Sequence, residues 1–146
     1  MRSISVSRSI PASEQAVWDV LADFPNIADW NTGVKTSYAT GDAAEGVGAT
    51  RHCDLSPTGV LEETIRVWEP TERLVISIDS TKRLPIKRGE VTFELDGDTN
   101  TTSIELRYDY ETRFGPIGKL MGPMIDKQLT GGFDGFLADL DTAATV

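Results

Sequence analysis

Two charged residues on neighbouring predicted strands, Arg51 and Glu63, are the side chains best placed to do chemistry in this sequence. They belong to two segments of alternating apolar and polar residues that flank the sequence Ser-Pro-Thr-Gly. Because alternate residues of a strand share a face, Arg51 shares a face with Leu55, and Glu63 shares one with Leu61. A charge on an apolar face costs free energy unless it is paired. The pattern therefore predicts that the two charges are paired or bridged by water, with hydrogen-bond capacity left for another polar group.

The turn between the two segments sets their pairing. We predict three opposed pairs, namely Leu55 with Leu61, Cys53 with Glu63, and Arg51 with Ile65. Arg51 and Glu63 would then be diagonal neighbours within side-chain reach. The last predicted strand, residues 101–113, has an apolar face that includes Tyr108 and Tyr110. These two tyrosines could contact a ligand, act as acids or bases, or serve only as core or rim residues.

Other reaction classes lack the residues that they require. His52 and Cys53 are the only histidine and the only cysteine, and as neighbours on a strand they point to opposite faces. They can form neither a Cys–His dyad nor a zinc site with three or four His and Cys ligands. By the same alternation His52 is expected on the outer face as an ordinary solvated residue. No motif predicts a metal, a nucleotide or any other cofactor.

Length and charge narrow the classes of partner. The chain has 146 residues, which predicts one domain over 1–146, and its formal net charge is −9. An acidic chain is a poor partner for nucleic acid and for anionic membranes. No apolar run is long enough to insert in a membrane, and residues 1–13 lack the apolar stretch of a signal peptide. We therefore expect a cytoplasmic monomer or homodimer.

The hydrophobic period predicts the elements that position these residues. Residues 3–10 alternate as a strand, and Ser13 then caps a helix that ends before Pro25. A second short helix is predicted at 26–30, and six strands follow between residues 34 and 113. The period changes to that of a helix from Pro116, over residues 116–142. Sequential antiparallel strands with one long helix predict an α+β domain of seven strands.

Two features of the long helix are unusual. Pro123 should kink it or divide it in two. The segment also contains five glycines, each unfavourable inside a helix, at positions 118, 122, 131, 132 and 135. The glycines either let the helix approach the sheet closely or leave room for a ligand.

The order of elements resembles the helix-grip fold of the START/Bet v 1-like superfamily, and most of all its bacterial polyketide cyclase/dehydrase-like branch. Four stretches carry the resemblance: SIPAS leading into VWDVL at 9–21, FPN at 24–26 with Trp30, WEP at 68–70 with Arg73-Leu74, and FGPIGKL at 114–120. The resemblance implies a curved antiparallel sheet that grips the C-terminal helix, with a hydrophobic ligand cavity between them.

Alternation and the resemblance together predict the residues that contact a ligand in this cavity. They are Trp30, Arg51, Cys53, Glu63, Ile65, Ile76, Phe93, Leu106, Tyr108, Tyr110, Met121, Met124 and Gln128.

Three functions fit such a domain. The first is binding of a small hydrophobic molecule, such as a lipid, a polyketide or an aromatic metabolite, by a cavity with a few polar anchors. The second is an aromatase/cyclase-type enzyme that promotes aldol closure and dehydration of a poly-β-ketone, with Arg51, Glu63, Tyr108 and Tyr110 as acid-base groups. The third is a protein-interaction or chaperone-regulating module, which a large exposed apolar patch would favour.

Overall fold

In the computed structural model, which describes residues 1–146, seven antiparallel strands form one curved sheet in the order β1-β7-β6-β5-β4-β3-β2. Every neighbouring pair in this order is antiparallel, and β1 and β2 are the two edge strands. The strands are β1 (Arg2–Ile10), β2 (Val34–Ala39), β3 (Thr50–Leu55), β4 (Val60–Glu69), β5 (Arg73–Lys82), β6 (Ile86–Gly97) and β7 (Thr102–Thr112). The predicted number of strands and the predicted fold class are confirmed.

Two short helices connect β1 to β2, as the sequence predicts. Helix α1 (Glu14–Ala22) begins where the hydroxyl of Ser13 accepts a hydrogen bond from the backbone N–H of Ala16 at 3.1 Å. This bond satisfies one of the free N–H groups of the first turn. A 3-10 helix (Phe24–Asp29) follows directly, because Pro25 cannot continue α1.

The C-terminal helix is divided at Met121 into α2 (Gly115–Leu120) and α3 (Gly122–Ala144). Pro123 lies in the first turn of α3, where a proline needs no hydrogen-bond donor, so the predicted division is confirmed. Helix α3 buries Ile125, Leu137 and Leu140 in a core of 22 residues. It packs against β1 and α1, which places it across the concave face of the sheet.

The register of β3 against β4 is shifted by two residues from the predicted one. Arg51 lies directly opposite Glu63, and Cys53 lies opposite Leu61. The reason is the turn, in which the N–H of Leu55 donates to the carbonyl of Gly59 at 2.8 Å. The loop therefore spans residues 56–58 rather than the five residues that the prediction assumed. The two charges become direct neighbours instead of diagonal ones.

A second difference concerns the inward face of β4. Strict alternation along β4 would place Leu61, Ile65 and Val67 on one face, but an irregularity lies between Ile65 and Val67. Such a bulge reverses the face on which the following side chains point. Val67 therefore pairs with Val75 on the outer face, and Trp68 packs against the core instead. The ring of Trp68 meets that of Trp18 edge-on, with the ring centroids 5.1 Å apart.

Candidate ligand cavity

A cavity of about 370 Å³ lies between α3 and the concave face of the sheet. Of the 27 residues that line it, 19 are hydrophobic. Helix α3 approaches the sheet most closely at the edge strand β1 and stays farther from β3, β4 and β5, which leaves the space between them. The interior of a folded domain is normally close-packed and has no void of this size. The cavity is therefore the feature of the fold that requires a functional explanation.

Aromatic rings form one wall of the cavity. Phe136 of α3 packs edge-on against Trp30 and tilted against Phe93, with centroid distances of 5.1 Å and 5.6 Å. Phe133, one turn earlier on α3, packs edge-on against Tyr108 at 5.1 Å. These rings link the 3-10 helix, the sheet and α3 through favourable edge-to-face contacts. They present an apolar surface suited to a flat or aromatic molecule.

The polar part of the cavity wall is the ion pair of Arg51 and Glu63. The Nε of Arg51 donates to Oε1 of Glu63 at 2.9 Å, and the two side chains are only 6% and 5% exposed. Arg51 also donates from Nη1 to the carbonyl of Phe24 at 2.8 Å, and its guanidinium lies 4.0 Å from the centre of the Phe24 ring. The thiol of Cys53 is 3.4 Å from the same Oε1. These contacts hold two buried charges in a fixed orientation.

Several polar atoms of this region remain without a protein partner. Both contacts of the Glu63 carboxylate use Oε1, which leaves Oε2 free, and Arg51 uses Nε and Nη1, which leaves Nη2 free. No hydrogen bond within the protein engages the hydroxyl of Tyr108. The indole Nε1 of Trp30 is buried and unpartnered. Of these atoms only Nε1 of Trp30 is fully buried, whereas the other three belong to residues that line the cavity and are available to the polar atoms of a guest.

The environment also fixes the protonation states of two side chains. Burial, followed by the nearby charge of Glu63, raises the pKa of Tyr108 well above its usual value. Tyr108 is therefore a neutral phenol that can donate a hydrogen bond. Burial and the charge of Glu63 likewise raise the pKa of Cys53 to about 12. A thiol with this pKa is protonated at neutral pH and is a poor nucleophile.

The structure brings eight of the thirteen predicted residues together on the cavity wall. These are Trp30, Arg51, Cys53, Glu63, Ile76, Phe93, Tyr108 and Gln128. Contact of any of them with a ligand stays a prediction.

The other five predicted residues lie off the cavity wall. Ile65 and Leu106 face inward but are fully covered by the core. Tyr110 instead hydrogen-bonds Asp126, which also forms an ion pair with Arg2 at 2.7 Å. Burial and Asp126 raise the pKa of Tyr110 to about 12. This cluster fastens the beginning of α3 to β1 and takes no part in the cavity.

Met121 and Met124 are 39% and 51% exposed, because their side chains point away from the side of the helix that buries Gly122 and Ile125. Lining residues that the sequence did not reveal are Phe133 and Phe136 of α3, and Leu84, Pro85 and Ile86 at the turn between β5 and β6. The helical spacing of Phe133 and Phe136 placed them on the apolar stripe of α3. Nothing in the sequence showed which part of that stripe faces the cavity.

The glycines of the helix divide into two groups. A side chain at Gly118 would meet the carbonyl oxygen of Arg113 at 1.8 Å, so this glycine allows close packing. Added Cβ atoms at Gly131, Gly132 and Gly135 would meet nothing within 4 Å. Gly132 also lines the cavity. Close packing therefore explains Gly118, and room for a ligand beside Gly132 stays a prediction.

The family is settled by a match over almost the entire chain. The family model described as polyketide cyclase/dehydrase and lipid transport matches residues 1–145. The chain belongs to this family. A search of curated proteins gives no match.

Solved structures support the fold of this family member. The Zhui aromatase/cyclase from Streptomyces sp. R1128 is 14% identical with a TM-score of 0.83, covering 99% of this chain and 93% of its own. A START superfamily protein from Mycobacterium smegmatis is 15% identical with a TM-score of 0.82, covering 98% and 97%. DynU16, from the dynemicin biosynthetic locus, is 21% identical with a TM-score of 0.70, covering 96% of this chain and 46% of its own. At these identities the likeness establishes a START-type fold. The structure contains no helix with the length and apolar character needed to cross a membrane.

Proposed function

We propose that this protein binds a small hydrophobic molecule carrying one polar group, in the cavity between α3 and the sheet. The observation that carries the proposal is an apolar and aromatic cavity of about 370 Å³ with one buried ion pair on its wall. Small-molecule sites have this combination of apolar lining and few polar anchors. An empty cavity destabilises a core, so a void of this size is better explained by a guest than by packing.

The unpaired polar atoms on the cavity wall indicate which polar group the guest carries. Nη2 of Arg51 and the hydroxyl of Tyr108 are donors, whereas Oε2 of Glu63 is an acceptor. A hydroxyl or a carbonyl on the ligand would satisfy one or more of them. A lipid, a polyketide and an aromatic metabolite all carry such groups, and the aromatic wall favours a flat ring system.

The cavity can be tested with two neighbouring substitutions in α3. Gly132→Leu directs a side chain into the cavity, whereas Gly131→Leu adds the same side chain to a position that has open space and does not line it. We expect Gly132→Leu to weaken binding of naphthol by about tenfold or more, and Gly131→Leu to leave it unchanged. Fluorescence titration measures both. Equal affinity of the two variants would contradict the proposed site.

The polar anchors can be tested by comparing naphthol with naphthalene. Tyr108→Phe removes one unengaged hydroxyl, and Glu63→Gln removes the charge of the acceptor. Both should weaken binding of naphthol several-fold and leave that of naphthalene unchanged, because only naphthol has a group to anchor. Unchanged affinities for both compounds would refute the anchoring role. Native mass spectrometry of the purified protein would identify a retained guest directly.

A second candidate function is that of an aromatase/cyclase-type enzyme. What favours it is the placement of a base, a cation and a neutral phenol on one cavity wall: Glu63, Arg51 and Tyr108. In an aldol closure, Glu63 would take a proton from the carbon between two carbonyls, and the resulting enolate would attack a third carbonyl. Arg51 and Tyr108 would stabilise the oxyanion, and Tyr108 would protonate it before water is lost.

The two functions separate when binding and turnover are measured on the same variants. An enzyme should convert a poly-β-ketone thioester to an aromatic product, seen as new ultraviolet absorbance, faster than the solution reaction. Tyr108→Phe should then reduce the rate by about 10²-fold or more while changing affinity only several-fold. Tight binding of the thioester with no acceleration of its conversion would show that the protein binds this compound without catalysing the reaction. Acceleration that survives both Tyr108→Phe and Glu63→Gln would exclude this mechanism.

A further inference from the structure

The basic residues of this acidic protein are unevenly distributed. Seven of its 14 lysines and arginines form ion pairs with carboxylates. The other seven are not spread evenly, because five of them belong to two short segments, 81–88 and 113–124, that contain no acidic residue. These five are Lys82, Arg83, Lys87, Arg113 and Lys119.

The two segments form one surface. Arg113 donates from Nη2 to the carbonyl of Thr81 at 2.7 Å and from Nε to the carbonyl of Leu84 at 3.2 Å. The backbone N–H of Arg113 also donates to the carbonyl of Pro85 at 2.8 Å. These bonds join the turn between β5 and β6 to the residues that lead into α2. We call the surface made by residues 81–88 and 113–124 the α2 face.

The α2 face also carries most of the large apolar side chains that the protein exposes. Phe114, Ile117 and Leu120 are 68%, 65% and 83% exposed, and Met121 and Met124 are exposed beside them. Isolated exposed apolar residues are ordinary, but a contiguous group marks an interaction site. Because these side chains protrude from a helix of six residues, they suit insertion into a soft apolar medium better than contact with a rigid protein groove.

The α2 face borders the cavity. Leu84, Pro85 and Ile86, which belong to this surface, also line the cavity. Just beyond it on α3, Gln128 lines the cavity and is exposed. Pro85 and Gln128 are both exposed and both line the cavity, so the cavity wall reaches the protein surface next to the protruding apolar side chains.

We propose that the α2 face binds the surface of an anionic phospholipid bilayer, with its apolar side chains among the headgroups and its lysines and arginines against the phosphates. Charge complementarity supports this occupant, because four exposed cations without carboxylate partners, Lys82, Arg83, Lys87 and Lys119, belong to the same surface as the apolar side chains. Apolar residues flanked by Lys and Arg are the composition of segments that lie in a membrane interface. The proposal is independent of the ligand that the cavity holds.

The net charge of −9 led to the opposite expectation from the sequence. At physiological ionic strength, however, charges are screened beyond about 8 Å. A surface that contacts a bilayer is therefore governed by its own charges, and the acidic residues elsewhere orient the protein with the α2 face toward the lipid.

Sedimentation with vesicles tests the proposal. Vesicles of equal parts phosphatidylcholine and phosphatidylglycerol should bind the protein, and vesicles of phosphatidylcholine alone should bind it much more weakly. The double variant Ile117→Ser/Leu120→Ser should reduce binding by about tenfold or more. Lys82→Gln and Lys119→Gln should each reduce it about fivefold, since each charge is lost from an anionic surface. These positions are exposed, so folding is preserved, and circular dichroism verifies it.

Matched variants elsewhere on the protein provide the controls. Val47→Ser alters an apolar residue that is 68% exposed but lies outside the α2 face, and Lys35→Gln removes a lysine on β2. Both should bind vesicles like the unmodified protein. Absence of binding to anionic vesicles, or equal losses in the control variants, would overturn the proposal. Equal binding to soluble polyglutamate would overturn it as well, because the partner would then be an acidic protein surface. Naphthol binding is measured on the same samples, so that a failure of vesicle binding can be told apart from a failure of ligand binding in the cavity.

Discussion

The ion pair of Arg51 and Glu63 allows a quantitative test of the cavity wall. Arg51→Met leaves the Glu63 carboxylate 5% exposed with only the Cys53 thiol near it, at 3.4 Å. Removing one partner of a buried pair costs about 3–5 kcal/mol, because the other charge stays buried. The variant also loses the hydrogen bond to the Phe24 carbonyl at 2.8 Å, so we expect the upper part of that range. A loss of this size lowers Tm by roughly 10 °C or more in a chain of this length.

Replacing the other partner of the pair, Glu63, should reduce stability less. Glu63→Gln keeps an oxygen that can accept from Nε of Arg51, and the guanidinium keeps the Phe24 carbonyl and the face of the Phe24 ring at 4.0 Å. We therefore expect a loss of about 2–3 kcal/mol. The double variant Arg51→Met/Glu63→Gln removes both charges and should be within about 1–2 kcal/mol of the unmodified protein. The two substitutions should thus be strongly coupled.

Urea unfolding followed by circular dichroism measures the four proteins of this cycle. The matched control is the exposed pair of Arg66 and Asp79, whose atoms are 3.3 Å apart on the outer face of the same sheet. Removing both of its charges should change stability by less than about 1 kcal/mol. If Arg51→Met is as stable as the Arg66→Met variant, or if the losses in the double variant simply add, the reasoning about buried charge is wrong.

Three other predictions address the outer face, the thiol and the helix. Hydrogen bonds that the His52 ring donates to Glu62 and then to Asp54 raise the pKa of His52, so the stabilisation that this cluster contributes is complete below about pH 6.5 and is lost as pH rises through the raised pKa. Proton NMR of this single histidine should show a pKa above its usual value that falls in Glu62→Gln; an unshifted pKa would contradict the contact. The buried thiol of Cys53 should react with iodoacetamide only after unfolding, and rapid native labelling would contradict its pKa of about 12. Gly131→Ala should raise the free energy of unfolding by roughly 0.5–1 kcal/mol, because the added methyl group meets nothing within 4 Å; a loss of stability in urea would contradict this.

Local patterns predicted the elements because each depends on a few neighbouring residues. Ser13 caps α1, Pro123 begins α3, and alternation from Ile104 to Tyr110 defines the buried face of β7. These features require no knowledge of distant contacts. The strand number, the element order and the division of the C-terminal helix could therefore be predicted from the sequence.

The details of the cavity depend on geometry that a local pattern does not contain. A turn of three residues rather than five placed Arg51 opposite Glu63, and a bulge after Ile65 reversed the face of Val67. On the helix, periodicity identified the apolar stripe but not the part of it over the cavity. Met124 was therefore predicted to contact a ligand, whereas Phe133 was not. Leu84, Pro85 and Ile86 stand among basic residues of the β5–β6 turn, and no periodic pattern marked them as cavity residues.

His52 shows the same limit on the outer face. Alternation placed it opposite the cavity face, and the structure agrees. It is not an ordinary solvated residue, however, because it contacts Glu62 and Asp54 and stacks on the ring of Tyr38 with centroids 4.9 Å apart. These partners come from β2, β3 and β4 together, and the sequence did not reveal that they meet.

The packing of α3 differs along its length. Its beginning is fixed to β1 through Asp126 and Arg2, and its end is fixed by Leu137 and Leu140, which are fully buried. Between these two anchors the helix faces the cavity, and its contacts there are made by the rings of Phe133 and Phe136. Glycine lowers the intrinsic stability of a helix, so the order of this middle part depends on those ring contacts more than on the helix itself.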